Sequence, residues 1–171
     1  YLDQMTTNKE KFLQYLAEIK VRPEDRAVFA SRKDKLNVLV ITEDWCGDAS
    51  NTIPILAKVA EEVPGLELRV LRRDEHPEVM DRYLTNGARA IPIVIALDSD
   101  FAELGHWGPR PTELQAWVMA RKGVVPKADL YPQIRKWYAR DRGESTLREV
   151  LAAATAPGSA GRATIPSPLP A

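Results

Sequence analysis

The apolar run Leu36 to Thr42 leads directly into Glu43-Asp44-Trp45-Cys46-Gly47-Asp48-Ala49. No other stretch constrains the fold as strongly. A continuous, β-branched apolar run of this length reads as a strand buried on both faces. A helical pattern opens at Ala49, so the short loop between strand and helix carries Cys46, the only cysteine in the chain. Unpaired N–H groups and the helix dipole favour an anion at such a helix start. Cysteines placed this way drop from a pKa of about 8.5 to roughly 3.5–7.5. Cys46 is therefore expected to be a nucleophile, alkylated with an apparent pKa below about 8. The competing reading is a buried, inert cysteine. Asp44 and Asp48 flank the thiol and oppose its ionisation unless they point outward. Asp48 is expected to cap the helix or lie on the surface. Trp45 is expected beside the thiol as a lid and docking surface, with an ordinary core tryptophan as the close alternative.

Composition narrows the function classes. The chain has 171 residues, enough for one domain with a sizeable core. Lys+Arg and Asp+Glu both number 24, giving no net charge to attract nucleic acid. The apolar runs Val38 to Ile41 and Ile91 to Leu97 are too short to span a bilayer, so no membrane partner is expected. No secretory signal is visible. A single cysteine excludes an internal disulfide framework and a zinc site built on cysteine pairs. Two histidines, His76 and His106, are too few for a histidine-rich metal site. No cofactor and no metal are expected, and a cytoplasmic, reducing setting fits best.

Around the central run the periodicity gives an order of elements. Thr7 to Lys20 carries Phe12, Leu13, Leu16 and Ile19 at helical spacing, with Asn8 as a candidate cap. Pro23 opens a short helix to Ser31. Ala49 to Val63 reads as a helix kinked at Pro54. Leu66 to Leu71 alternates as a strand, Pro77 to Leu84 is a short helix, and Asn86-Gly87 is a turn. Ile91 to Asp98 and Phe101 to Trp107 read as a hairpin, with Pro92 at the head of the first strand. Gly108-Pro109-Arg110-Pro111 is a rigid loop, and Thr112 is expected to cap a helix to about Lys122. Two more helices follow, near Tyr131 to Arg140 and Thr146 to Ala154. From Ala156 the composition turns to Pro, Gly, Ser and Ala, expected to be disordered or extended unless a partner or neighbouring chain holds it. The division expected is an N-terminal helical addition (1–35), a core (36–122), a C-terminal helical addition (123–155) and a tail (156–171).

Trp45-Cys46-Gly47, Pro54 eight residues after the cysteine, and Ile91-Pro92 opening a later strand occur in the order and spacing of a known pattern. The chain resembles the thioredoxin superfamily over about half its length. The segment from Glu43 to Asp48 is similar to a bacterial thioredoxin-like subfamily that usually continues Cys-Gly-Asp-Cys. Here Ala49 stands where the second cysteine would be. The resemblance implies an α/β fold, a three-layer sandwich with a mixed four-stranded sheet flanked by helices. It also implies a cis Ile91–Pro92 bond lying against Cys46, with Ile91 pairing its backbone to an incoming peptide. Val40 occupies the place where many relatives bury a proton-shuttling aspartate.

These departures point to a protein that can begin thiol–disulfide exchange but needs help to complete it. Cys46 is the expected sole nucleophile, with Trp45, Gly47, Ile91 and Pro92 as substrate-binding residues. The expected substrates are protein disulfides or mixed disulfides between a protein and a small thiol. An external low-molecular-weight thiol would release the product. A non-catalytic thioredoxin-fold binding or adaptor protein is the alternative. His76 and His106 are expected to be solvated or structural, and Tyr131, Trp137 and Tyr138 to pack the added helices.

Overall fold

A computed structural model describes Tyr1–Thr155; the expected tail, 156–171, lies outside the described residues. The fold is α/β, with a mixed four-stranded sheet flanked by helices. Its strands are β1 (Leu36–Thr42), β2 (Leu66–Arg72), β3 (Ile93–Leu97) and β4 (Glu103–Trp107), in the order β2-β1-β3-β4. β1 pairs parallel with β2, Val40 facing Val70, and antiparallel with β3, Val40 facing Val94. β3 pairs antiparallel with β4, with a register shift between Ala96 and Leu97. The central position of β1 and β3 explains their largely apolar runs: Val40, Ile41, Val94 and Ile95 have essentially no exposed surface.

The helices are α1 (Lys9–Glu18), α2 (Pro23–Ala30), α3 (Ala49–Glu62), α4 (Pro77–Met80), α5 (Thr112–Met119), α6 (Lys127–Asp141) and α7 (Glu144–Thr155), with one 3-10 turn at Leu2–Gln4. α3 buries Ile53, Ile55, Leu56 and Val59 in the main core; α1 packs on α3, and Phe12 of α1 and Ile19 just after it join the same core. α7 packs across β4 and β3 and adds Leu147, Val150 and Ala154 to the same core. Gly105 permits this approach, because a Cβ there would collide with the Ala153 carbonyl oxygen. α5 and α6 enclose a smaller cluster of Leu114, Val118, Leu130, Ile134 and Tyr138.

Several local expectations need correction. β3 begins at Ile93, not Ile91, so Ile91 and Pro92 remain in the loop ahead of the ladder. β4 begins at Glu103, after Phe101 adopts positive φ in the turn. The helix opened by Pro77 is a single turn ending at Met80. Asn8 sits at the start of α1 in a left-handed conformation and makes no capping bond; its Nδ2 donates instead to the Asp44 carbonyl at 2.8 Å. Thr112 is the first residue of α5, not its cap. Its N–H and hydroxyl both donate to Glu149 of α7.

Candidate active site

The turn between β1 and α3 brings Cys46 to the edge of the loop that precedes β3. Two polar anchors fix that turn. Glu43, wholly buried at the end of β1, accepts a hydrogen bond from the Asp74 N–H at 2.8 Å and lies 3.4 Å from the Arg72 guanidinium. The Asp44 carboxylate accepts the Thr6 and Thr7 N–H groups at 2.6 and 3.0 Å and the Thr6 hydroxyl at 3.1 Å. Those donors hold its pKa below the usual carboxylate value, outweighing its burial. The two acids thus tie the cysteine loop to the segment after β2 and to the chain's N-terminal segment.

Cys46 Sγ lies 3.5 Å from the Ile91 carbonyl oxygen, and the Ile91–Pro92 peptide is cis. The structure therefore brings together the cysteine and the Ile-Pro pair singled out in the sequence. Gly108 closes the back of this arrangement, with φ of +133° and no room for a Cβ, which would strike the Pro92 carbonyl oxygen. The next peptide, Gly108–Pro109, is also cis. Trp45 is half exposed, at 50%, and the Arg73 guanidinium lies 4.9 Å from its ring centroid. Trp45 is therefore a surface residue and not a core tryptophan. Gly47 is exposed beside it.

The expected acidic thiol is not what the structure holds. Cys46 is 7% exposed, and burial pushes its pKa above the ordinary thiol value. The Ala49 and Asp48 backbone N–H groups at the start of α3 act in the opposite direction, as the helix-terminus argument requires, but do not offset desolvation. The negative charge of Asp48 adds to the upward shift, and Arg110 opposes it. Position at a helix start is thus outweighed here by removal from water.

Asp48 also departs from expectation. It precedes α3 but makes no side-chain cap bond. Its carboxylate is held by Arg110 through Nε at 3.0 Å and Nη2 at 2.6 Å, and by the Tyr138 hydroxyl at 3.1 Å. Gln115 accepts from the remaining arm of Arg110 at 3.0 Å. Arg110 and Tyr138 were legible only as a loop residue and a packing aromatic; no periodicity marks them as neighbours of the cysteine loop. Val40 is fully buried, leaving that position beneath the site apolar.

His106 is removed from this chemistry. It pairs with Glu103 at 2.7 Å, and Glu103 also accepts from the Tyr83 hydroxyl at 2.9 Å. His76 faces Glu78 at 3.4 Å. No group of three or more metal-ligating side chains occurs among the described residues. No helix among them is long and apolar enough to cross a membrane.

Comparison with known proteins agrees with the architecture. The chain resembles a crystal structure of a protein of unknown function from Pseudomonas aeruginosa, with TM-score 0.69 and 18% identity over 90% of this chain and 87% of that one. It also resembles an HIV epitope scaffold, with TM-score 0.67 and 19% identity over 88% and 86% of the two chains. At these identities the likeness establishes the fold alone. No curated protein sequence matches. The thioredoxin family's sequence model matches residues 1–127, which include β1, Cys46, Ile91-Pro92 and α5, and on that match the chain belongs to the thioredoxin family.

Proposed function

We propose that this protein carries out thiol–disulfide exchange through Cys46 alone. The observation that carries this reading is the 3.5 Å approach of Cys46 Sγ to the Ile91 carbonyl at the Ile91–Pro92 corner, beneath a half-exposed Trp45. Cys46 as thiolate attacks a disulfide R–S–S–R′, forming Cys46–S–S–R and releasing R′S⁻. With Ala49 in place of a second thiol, an external thiol R″SH then attacks the mixed disulfide. That step forms R–S–S–R″ and returns Cys46 as a thiol. Such a cycle suits removal of a small thiol from a protein better than reduction of a protein's internal disulfide. The groove residues would be Trp45, Gly47, Ile91 and Pro92.

Burial covers the thiol and favours its protonated form, so attack on a disulfide requires that substrate reach Sγ and that the thiol lose its proton. Incubation with hydroxyethyl disulfide followed by intact mass measurement tests the reading. A single mercaptoethanol adduct on Cys46, removed by added thiol and absent in Cys46→Ser, is the expected result. A chain that stays unmodified over hours sinks it.

The burial of Cys46 favours a second reading, a thioredoxin-fold binding protein without catalysis. On that reading Cys46→Ser leaves partner binding and any cellular phenotype intact.

A further inference from the structure

The side chain of Arg73 joins the two loops that meet at Cys46. Arg73 follows β2, and its backbone is fixed on both sides. Its own N–H donates to the Thr42 carbonyl at 2.9 Å, and the next N–H, that of Asp74, donates to the buried Glu43 carboxylate at 2.8 Å. From this anchor the guanidinium reaches over the ring of Trp45, 4.9 Å from its centroid. Its Nη1 donates to the carbonyl of Arg89, two residues before Ile91, at 3.2 Å. Its Nε donates to Asp74 Oδ1 at 2.8 Å. The Arg89 loop is held in turn, because the Arg89 guanidinium grips Asp81 at 2.6 and 2.7 Å. One side chain therefore ties the residue before the cysteine to the loop that carries the cis proline.

A free tryptophan side chain must be ordered before a substrate can pack on it, and that ordering weakens binding. A cation within about 6 Å of the ring centroid orders the ring beforehand. Trp45 remains half exposed with Arg73 in place, so part of the ring stays open to a substrate. Asp74 meets the guanidinium charge, so the ring offers apolar area and not a net charge. Trp45 also immediately precedes Cys46, with successive Cα atoms about 3.8 Å apart. A peptide bonded to Sγ thus carries its flanking side chain close to the ring. We infer that Arg73 is a positioning residue that holds Trp45 as an apolar platform for the residue beside the cysteine of a peptide disulfide. This rests on thiol exchange at Cys46 and adds a substrate class to it, peptide disulfides with an apolar neighbour in preference to polar or very small ones.

Two capped, uncharged probes test this: the disulfide-linked dimers of Leu-Cys-Gly and of Gly-Cys-Gly. Each reaction forms Cys46–S–S–peptide and releases the other half as a thiol. Intact mass against time gives both rates. Their ratio does not depend on the fraction of chain that is folded, so a loss of stability alone does not move it. The parent is expected to favour the leucine probe. Arg73→Met is expected to cut that preference about two- to fivefold, the worth of an exposed cation–ring contact. Trp45→Ala is expected to remove it, with Arg73→Met adding nothing further in that background. Arg69→Met, at an exposed position of β2, is expected to leave it unchanged. Circular dichroism verifies folding, and Arg73→Gln serves if Arg73→Met does not fold. No preference in the parent, or an unchanged preference without Arg73, overturns the assignment. Fluorine NMR of chain labelled with 5-fluorotryptophan reads the ring without any chemistry at the thiol. The Trp45 signal is identified among the four tryptophans by its absence in Trp45→Phe. Arg73→Met is expected to shift and sharpen it. An unmoved signal overturns the role of Arg73 alone, whereas a moved signal with no adduct from any disulfide overturns the exchange reading and the platform with it.

Discussion

The Arg110 guanidinium grips the Asp48 carboxylate through two hydrogen bonds of 3.0 and 2.6 Å, two residues along from the only cysteine. This pair places one negative and one positive charge beside a buried sulfur, where their effects oppose each other. Removing either charge should therefore shift the thiol in opposite directions. Asp48→Asn is expected to lower the Cys46 pKa and speed alkylation near neutral pH. Arg110→Met is expected to raise it and slow alkylation. The double variant should return towards the parent. Iodoacetamide rate profiles against pH measure all three, and shifts of the same sign for both single variants would contradict this account.

Burial raises the Cys46 pKa, and this has a sign in stability as well as in reactivity. As pH rises past about 8.5, the thiol of the unfolded chain ionises while the folded thiol stays neutral. The folded state binds the extra proton, so stability falls on the alkaline side until pH passes the raised folded value. Urea midpoints from pH 7 to 9.5 should decline in the parent and decline less in Cys46→Ser. Parallel declines would mean that the thiol is not desolvated as the structure has it.

Asp44 acts at the other end of the scale. Its lowered pKa means that its contribution is fully present above about pH 3.9, where the unfolded carboxylate is ionised. It is lost as pH falls through the lower folded value. Asp44→Asn removes the charge that the Thr6 and Thr7 N–H groups share and should cost about 1–3 kcal/mol at neutral pH. The difference between parent and variant should narrow in strong acid. Chemical denaturation at pH 7 and pH 2.5 measures it.

Gly108 carries the shape of the Pro92 loop. A methyl group at Gly108 meets the Pro92 carbonyl oxygen and comes within 3.2 Å of the Ile93 Cα, both backbone atoms that cannot rotate away. Positive φ adds strain for any residue with a Cβ. Gly108→Ala should destabilise the fold by at least about 1–3 kcal/mol. It should also change the Cys46 alkylation rate, because Ile91 is displaced with Pro92. An unaltered thermal midpoint would show that the loop has room the structure does not give it.

Much of the architecture was legible along the chain. β1 has the residues expected of it, Leu36–Thr42, because a strand in the middle of a sheet is apolar on both faces along most of its length; Asn37, buried near its start, is satisfied by donating to the Asp98 carbonyl. α2 opens at Pro23 and α3 ends at Glu62, just before Pro64-Gly65, each within a residue of expectation because those prolines punctuate the chain. The hairpin of β3 and β4 was visible, but its ends were not. Ile91 and Pro92 continue an apolar run, yet the ladder of backbone pairs begins only at Ile93. The Cys46–Ile91 approach was reached through resemblance to a family, not through periodicity.

The sequence by itself determined which segments become strands and helices, which faces turn inward, and that one thiol stands between a buried strand and a helix. Local pattern carries that information because neighbours along the chain share a face at a fixed period. The tertiary structure alone decided how that thiol is solvated and charged. Arg110 and Tyr138 reach Asp48 from 62 and 90 residues away. Covering of the sulfur likewise depends on loops that meet only in space. Desolvation and Coulomb interaction depend on distance in three dimensions, and no spacing along a chain encodes it.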